Sequence, residues 1–488
     1  MTWRKTIGVL ALALVLCVTA GRAQDQQQSS QSTGPIFPTP PLSAGGASGY
    51  NKPPTPAARG VSSEYDAQVY DRAQAIPDMN TLSGAQLFGL GNLGHAHNIF
   101  DPSFSLSEQG QTAPGTGTQS SLSSQTYLNG ILDFDRTWSI HHLTAIYNGG
   151  ASFDSGPPSS HSLDHNLIVS EQMGWERWRL LLRDDFAAAP GAGFTGTGMG
   201  GPGMIAQLSS TFGATLSSIG QAFVPSESIQ TGNANRYRNT VLGEAEYSFS
   251  RRSAFTFSGS YGILQFSDAG YISSRMLNAQ AGYDYLLDPK DSIAIVAGYG
   301  DIYFPGLAKT NAKDYSAGVA FGRRITGCVA FQVEAGPQLI HTGVGTQNFD
   351  RWFESVNSAL TYDRRRSGVS FNYMRGLSGG SGVYAGSTTN TFSASAHHLF
   401  TRYWTGTASG GYALNHSLAP AGAPTTSFNN WFVGANLGRR VGRQASINFL
   451  YGLQRQDSPS TCPVASCGGT GFQQSFGMTV NWHLRPNG

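Results

Sequence analysis

The chain has 488 residues, 62 of them glycine, and only 12% of its residues are charged. This composition does not suit a helical enzyme, because glycine lowers the stability of helices, and the frequent Tyr, Phe, Thr and Val favour β-strands. The formal net charge of +2 is too small to indicate a nucleic-acid partner. The composition therefore points to an all-β protein.

The N-terminal residues predict export from the cytoplasm. Arg4 and Lys5 form a basic region, an apolar run follows, and Gly21 and Ala23 supply the small residues that a signal peptidase requires. We therefore expect a cleaved signal peptide at residues 1–23. No later stretch approaches the ~18 consecutive apolar residues of a membrane-spanning helix.

Two further regions follow the expected signal peptide. Residues 24–97 begin with a stretch rich in Gln, Ser, Pro and Gly, which cannot bury a core, so we expect a disordered periplasmic segment. A strand pattern begins near residue 98 and continues to the end of the sequence. Because single β-barrels can be long, we assign residues 98–488 to one barrel domain.

The strand pattern is clearest in the C-terminal stretch Phe472–Leu484, where apolar and polar residues alternate. The apolar positions are Phe476, Met478, Val480, Trp482 and Leu484. Alternation with a period of two predicts a strand with one apolar face and one polar face. In a closed barrel this last strand must pair with the first, which we place at Phe100–Glu108, or with Gln125–Arg136 if that first strand is wrong.

The same pattern predicts about eighteen strands, or sixteen if the earliest segments lie outside the sheet. The predicted strands are Phe100–Glu108, Gln125–Arg136, Ser139–Gly149, Leu163–Trp175, Trp178–Ala187, Tyr237–Ser250, Ala254–Phe266, Ser274–Leu287, Ser292–Phe304, Lys313–Ile325, Val329–His341, Trp352–Arg364, Gly368–Leu377, Thr389–Phe400, Tyr403–His416, Phe428–Arg440, Gln444–Arg455 and Phe472–Leu484.

Connection lengths and residue placement distinguish a barrel from a soluble β-sandwich. Short turns alternate with generally longer loops rich in Gly, Ser and Pro, and arginines crowd the short turns, as at Arg251 and Arg252. Tryptophans lie at strand ends, where two aromatic girdles would meet the membrane interfaces. A sandwich also alternates in polarity, but its connections would not keep this rhythm.

Together, these features of residues 98–484 resemble a bacterial outer-membrane β-barrel of the porin-like kind. The resemblance implies a transmembrane, up-and-down, antiparallel β-barrel with short periplasmic turns and long outer loops. It also implies an outer-membrane location, lipid as the surrounding partner and folding by the barrel-assembly machinery. The pattern also allows a homo-oligomer.

The number of strands predicts the function. At sixteen to eighteen strands, side chains cannot fill the interior of a barrel, and an aqueous channel remains. We therefore expect passive diffusion of small hydrophilic solutes. The alternatives are an export or assembly barrel whose N-terminal segment contacts periplasmic partners, and a lipid-modifying enzyme of the outer membrane.

Strand parity directs a set of charged side chains toward the expected lumen, where they would set ion selectivity. The set is Asp133, Asp135, Arg183, Arg238, Glu244, Glu246, Asp284 and Glu334. Its acidic excess predicts a weak preference for cations. Alternatively, these charges pair with arginines on neighbouring strands and only stiffen the wall.

The long segment 188–234 is the predicted plug or constriction. A glycine-rich run is followed by apolar residues at helical spacing, which predict an amphipathic helix. These residues are Ile205, Leu208, Phe212, Leu216, Ile219 and Phe223. By resemblance to general porins, whose third loop folds into the lumen, we expect this segment to narrow the pore. The alternatives are a helix across the barrel mouth or at a subunit contact.

Cysteine placement allows one local disulfide. Cys462 and Cys467 lie five residues apart in a predicted outer loop, and an oxidising compartment permits their pairing, although two free thiols are the alternative. We expect no cofactor, no metal site and no catalytic site. The chain carries no Gly-x-Ser-x-Gly turn of the kind that a hydrolase would need.

Overall fold

The computed structural model describes twelve stretches of the chain. They are residues 99–113, 121–155, 160–190, 235–288, 290–307, 310–326, 328–344, 347–364, 366–418, 427–442, 444–457 and 471–484. The expected signal peptide, the segment 24–97, the six apolar residues of the predicted helix, and Cys462 and Cys467 lie outside the described residues. No helix within these twelve stretches is long and apolar enough to cross a membrane.

Eighteen strands make up almost all of the described structure. They are β1 (Ile99–Ala113), β2 (Ser121–Trp138), β3 (His141–Asp154), β4 (Ser160–Gly174), β5 (Trp178–Pro190), β6 (Asn235–Ser248), β7 (Ser253–Phe266), β8 (Ser274–Leu286), β9 (Asp291–Tyr303), β10 (Asn311–Thr326), β11 (Val329–Val344), β12 (Gln347–Arg364), β13 (Ser367–Ser378), β14 (Ser387–Leu399), β15 (Trp404–Ser417), β16 (Ser427–Val441), β17 (Ala445–Asp457) and β18 (Gly471–His483).

The strands form one closed, antiparallel sheet in which each strand pairs with its neighbours in the sequence. Closure is made by β1 and β18, which pair from Ser103↔His483 to Gln111↔Ser475. The prediction of eighteen strands is therefore confirmed, and so is the pairing of the last strand with the first. Closure removes the open sheet edges, whose backbone groups would find no hydrogen-bond partner in lipid.

Connections at the two ends of the barrel differ in length, as predicted. At one end, eight connections contain two to four residues each. One of them is the two-residue turn after β2, in which Ser139 has a positive φ of 51°, as such hairpin turns require. At the other end the loops are longer, up to the segment 191–234, with the exception of the two-residue connection 345–346. We call these two ends the short-turn end and the long-loop end.

The polarity of the wall is the reverse of that in a soluble protein. On β1 the outward residues Phe104 and Leu106 are 55% and 54% exposed, whereas the inward residues Ser105 and Ser107 are 2% and 3% exposed. The same arrangement recurs around the sheet, with large apolar side chains outside and polar side chains inside. A β-sandwich packs apolar faces inward, so this protein is a barrel whose outer surface suits lipid.

Aromatic residues and arginines line the rim at the short-turn end. Arg136 lies 5.7 Å from the ring centre of Trp138, and Arg439 lies 5.2 Å from that of Trp404. Aromatic rings with a polar edge suit the interface between hydrocarbon and headgroups, and the neighbouring guanidinium groups suit anionic headgroups. The tryptophans of the predicted aromatic girdle at this end therefore lie at the rim of the barrel.

Candidate functional site

All eight charged residues that parity directed toward the lumen lie on the inward face of their strands. Arg238 is 2% exposed, Glu244 is 3% exposed and Asp284 is 8% exposed. They are as buried as the neighbouring polar residues on the same faces. Asp133 and Asp135 share the parity of the inward residue Asn129 on β2. The positions follow from strict alternation along each strand.

The two arginines of this set meet at a carboxylate that the sequence analysis missed. Arg238 on β6 donates to Asp185 on β5 at 3.2 Å, and Arg183 lies 3.5 Å from the second carboxylate oxygen of Asp185. Asp185 is 6% exposed. Since Asp185 lies two residues after Arg183, it has the same parity, and this signal could have identified it.

Removing the carboxylate of Asp185 takes an acceptor from the buried guanidinium group of Arg238. We expect Asp185→Ala to lower the free energy of unfolding by about 1–3 kcal/mol. Urea unfolding of the refolded protein in detergent micelles measures this change. The control is Asp457→Ala, which breaks the exposed 3.0 Å pair with Arg455 and is expected to cost about 0–1 kcal/mol. Equal losses in the two variants would contradict the prediction.

Other members of the set hold the inner wall together by contacts between strands. Asp284 accepts a hydrogen bond of 3.0 Å from Thr256 on the adjacent strand. Glu334 on β11 accepts a hydrogen bond of 3.4 Å from Gln280 on β8. Two strands lie between β8 and β11, so this contact shows that the wall is strongly curved in this sector. Gly318 packs closely against β11 near this contact, since a Cβ there would lie 3.1 Å from the carbonyl oxygen of Ala335.

A further element of the lining is the connection between β13 and β14, residues 379–386, which we call the mouth loop. It contains a single 3₁₀ turn at Gly380–Gly382. The backbone N–H of Ile272, in the loop after β7, donates to the carbonyl of Gly382 at 2.8 Å. On the other side, the N–H of Leu418, after β15, donates to the carbonyl of Gly386 at 3.2 Å. The mouth loop therefore reaches across the long-loop end of the barrel.

Apolar contacts hold the mouth loop in this position. Val383 and Tyr384 pack against the fully buried Phe428 of β16. Ala385 packs against the cluster formed by Ile302 and Phe304, together with Met276 of β8. Met276 and Ile302 lie on β8 and β9, which are separated from β13 by at least three strands of the ring, so the contacts with Ala385 require the loop to fold inward over the mouth.

Two glycines of the mouth loop make this close approach feasible. Gly382 has φ +81°, and a Cβ there would lie 2.4 Å from the ring of Phe266. Gly386 has φ +89°, and a Cβ there would lie 2.9 Å from Leu418. Glycine adopts such φ values without the steric penalty of other residues.

Hydroxyl groups fix the base of the mouth loop. Ser378 and Ser387, which flank the loop, share a hydrogen bond of 2.7 Å. Thr389 donates to Asn415 on β15 at 2.8 Å, and all four residues are almost fully buried. The loop therefore begins from a rigid, satisfied polar cluster rather than from a frayed strand end.

The remaining sequence predictions are only partly covered by the described residues. Of the segment 188–234, Ala188–Pro190 belong to β5, and the rest lies outside the described part of the chain. On the outward face, His165 and the Tyr147 hydroxyl share a hydrogen bond of 2.9 Å. Cys328 is a free cysteine in the turn before β11.

Comparison with known proteins gives likeness only at the level of solved structures. No family model and no curated protein matches the chain. The barrel is similar to Pseudomonas aeruginosa OccK2 (OpdF), solved in complex with glucuronate, with 9% identity, a TM-score of 0.40, and coverage of 80% of this chain and 99% of that one. It is also similar to Acinetobacter baumannii OccAB3, with 9% identity, a TM-score of 0.39, and coverage of 79% and 99%.

A third similar structure is the outer membrane protein opdK from Pseudomonas aeruginosa, with 8% identity, a TM-score of 0.38, and coverage of 80% of this chain and 98% of that one. At these values the likeness adds nothing to the strand order and the polarity already described. By its closed ring of eighteen antiparallel strands and its apolar outer face, the chain is a porin-like, membrane-spanning β-barrel.

Proposed function

We propose that the chain forms an outer-membrane channel for the passive diffusion of small hydrophilic solutes. The observation that carries the proposal is the polar inner face of a closed, 18-stranded barrel. Side chains of a ring this wide cannot meet at its centre, and a polar lining is stable only when its groups find hydrogen-bond partners.

Polar atoms on the inner wall support a wet interior. Several of them are buried against the wall and have no hydrogen-bond partner among the described residues. Examples are Ser105 Oγ, Gln109 Oε1, Asn148 Oδ1 and both amide atoms of Asn430. Buried polar groups in proteins are almost always satisfied, so ordered water held against the inner wall is the natural partner of these atoms.

The width of the path is set at its outer mouth in this proposal. The mouth loop supplies one constriction, because it crosses the long-loop end and is anchored on both sides. The predicted helix of segment 188–234 supplies a second constriction, because the third loop of general porins, which the segment resembles, folds into the lumen. Together they restrict passage to small solutes.

Location and assembly follow from the same reading. The signal peptide at residues 1–23 would direct the chain to the periplasm, where the barrel-assembly machinery inserts it into the outer membrane. Residues 24–97 would remain on the periplasmic side, because β1 begins at the short-turn end. The disulfide between Cys462 and Cys467 remains a prediction for the outer loop before β18.

Liposome swelling tests the proposed channel directly. Vesicles containing the refolded protein are expected to swell in isotonic solutions of small sugars, at rates that fall with solute size. Heat-modifiable migration on a gel checks that the same sample is folded. Folded protein that admits no sugar, both as purified and after removal of the segment 191–234, would refute the channel.

Ion selectivity provides a second prediction. The acidic excess on the inner wall is expected to make the channel weakly cation-selective. The double substitution Glu244→Gln and Glu246→Gln removes two inward carboxylates from β6 and is expected to shift the reversal potential toward zero in planar bilayers under a salt gradient. The control is Glu171→Gln, which removes an outward carboxylate paired with His141 at 2.9 Å. Anion selectivity of the parent, or no shift in the double variant, would contradict the assignment.

A further inference from the structure

A recess lies at the middle of the inner wall, where β15 to β18 and β1 run side by side. Its floor is a rung of paired residues on which Gly434, the central residue of β16, is opposite Gly452 of β17. Ser409 on β15 and Ser475 on β18 continue this rung on the flanking strands. Because two neighbouring glycines carry no side chain, the wall is concave here, and the recess has a volume of about 50 Å³.

Apolar side chains border this glycine floor above and below. Phe432 occupies the next inward position of β16 toward the long-loop end, and Leu450 occupies the next inward position of β17 toward the short-turn end. Both side chains are half-buried, so part of each faces the lumen. The recess therefore presents an open apolar surface that one face of a small ring can cover.

Two oxygen acceptors lie at the edge of the recess. Gln109 of β1 and Asn436 of β16 both line it, and they are 2% and 8% exposed. Gln109 Oε1 and Asn436 Oδ1 have no hydrogen-bond partner within the described part of the chain. On the long-loop side, the amide of Gln454 donates to that of Gln473. A concave apolar surface with a few placed polar groups is the usual form of a small-molecule site.

The recess is electrically neutral. Among the described residues, no charged side chain lines it. In the described parts of β15 to β18 and β1, the inward ionisable residues are Asp101, Arg440 and His483, and all three lie near the short-turn end. An ionised solute would therefore leave water here without gaining an opposite charge, whereas a neutral solute pays no such cost.

We infer that this recess is a binding subsite for one ring of a neutral pyranose sugar on its way through the channel. The C–H face of the ring lies on the glycine floor between Phe432 and Leu450, which removes apolar surface from water. Hydroxyl groups at the edge of the ring replace ordered water and donate to Gln109 Oε1 and Asn436 Oδ1. This inference deepens the proposed function and rests on it, because a sugar reaches the middle of the wall only through an open channel.

Two substitutions alter the recess in opposite ways. Gly434→Val fills the floor, and the wall accommodates it because a Cβ there would lie 3.5 Å from Ser409 Oγ, an ordinary contact. Phe432→Ala removes the apolar border on the long-loop side. The matched control is Ser258→Val, which places the same valine on the inner face of β7, nine strands from β16 in the ring of eighteen.

The measurement is the ion current through single channels in planar bilayers, with maltose or sorbitol added. Maltose is expected to interrupt the current in brief blocks whose frequency rises with its concentration. Sorbitol carries hydroxyl groups but no ring, and it is expected to give no blocks at the same concentration. Gly434→Val and Phe432→Ala are each expected to raise the dissociation constant of maltose by about tenfold. Ser258→Val is expected to leave it unchanged.

Heat-modifiable migration on a gel confirms that each variant is folded. A folded channel that conducts ions but is not interrupted by maltose would overturn the subsite and leave the channel standing. Equal blocking by maltose and sorbitol, an unchanged dissociation constant in both recess variants, or an equal rise in Ser258→Val would overturn it as well. Folded protein that passes neither ions nor sugars would instead refute the channel, and with it the path to the recess.

Discussion

Removing the mouth loop is expected to raise single-channel conductance several-fold. The deletion of residues 380–385 joins Gly379 directly to Gly386, which gives a two-residue Gly-Gly turn between Ser378 and Ser387. Such a turn suits a tight hairpin, and the rung between the two serines is already present. The deletion therefore removes the crossing segment without lengthening any strand. Conductance in planar bilayers at fixed salt measures the effect.

A large rise in conductance is expected because the electrical resistance of a pore is concentrated at its narrowest section. A conducting path is limited by its narrowest section, and the mouth loop spans the outer mouth between β16 and the strands β7–β9. A milder variant, Val383→Ser with Tyr384→Ser, keeps the loop length but removes its packing on Phe428. It is expected to add brief transitions to a higher conductance. Conductance unchanged in the deletion variant would exclude the mouth loop from the permeation path.

The fold was predictable because lipid imposes a simple rule on sequence. A lipid-facing position must be apolar and its neighbours on the strand face the interior, so the alternation of Phe104 and Leu106 with serines fixes both the strand and its two faces. The first strand was correctly placed at Phe100–Glu108, although its pairing extends from Ile99 to Ala113. The inward placement of Glu244 and Asp284 followed from the same alternation along their strands.

The mouth loop was not predictable by this rule. Its anchors at Phe266 and Phe304 precede it by many residues, so no local period connects them with Gly382 or Ala385. The local signal is weak, since a short apolar run among glycines in an outer loop also fits an exposed hairpin. The β12–β13 ladder also ends at Val356↔Arg375, although the alternation of β12 continues through Trp352 in sequence.

Two adjacent substitutions on β15 are expected to have opposite consequences for stability. Ala408 is exposed on the outward face near the middle of the strand, and the next residue, Ser409, faces the interior. Ala408→Lys places an ammonium group against hydrocarbon, which is expected to cost about 2–4 kcal/mol at the bilayer midplane. Ser409→Lys places the same group toward the polar interior, where the expected change is close to zero.

Reversible unfolding in lipid vesicles measures both variants under the same conditions. The two positions share a strand, a membrane depth and the same substituted side chain. The comparison therefore measures only the effect of which face of the wall carries the lysine. In a soluble β-protein the order would be reversed, since a lysine directed into an apolar core is more costly than one directed into water. A larger loss for Ser409→Lys than for Ala408→Lys would therefore contradict the assignment of the apolar face to lipid, and with it the membrane-spanning barrel.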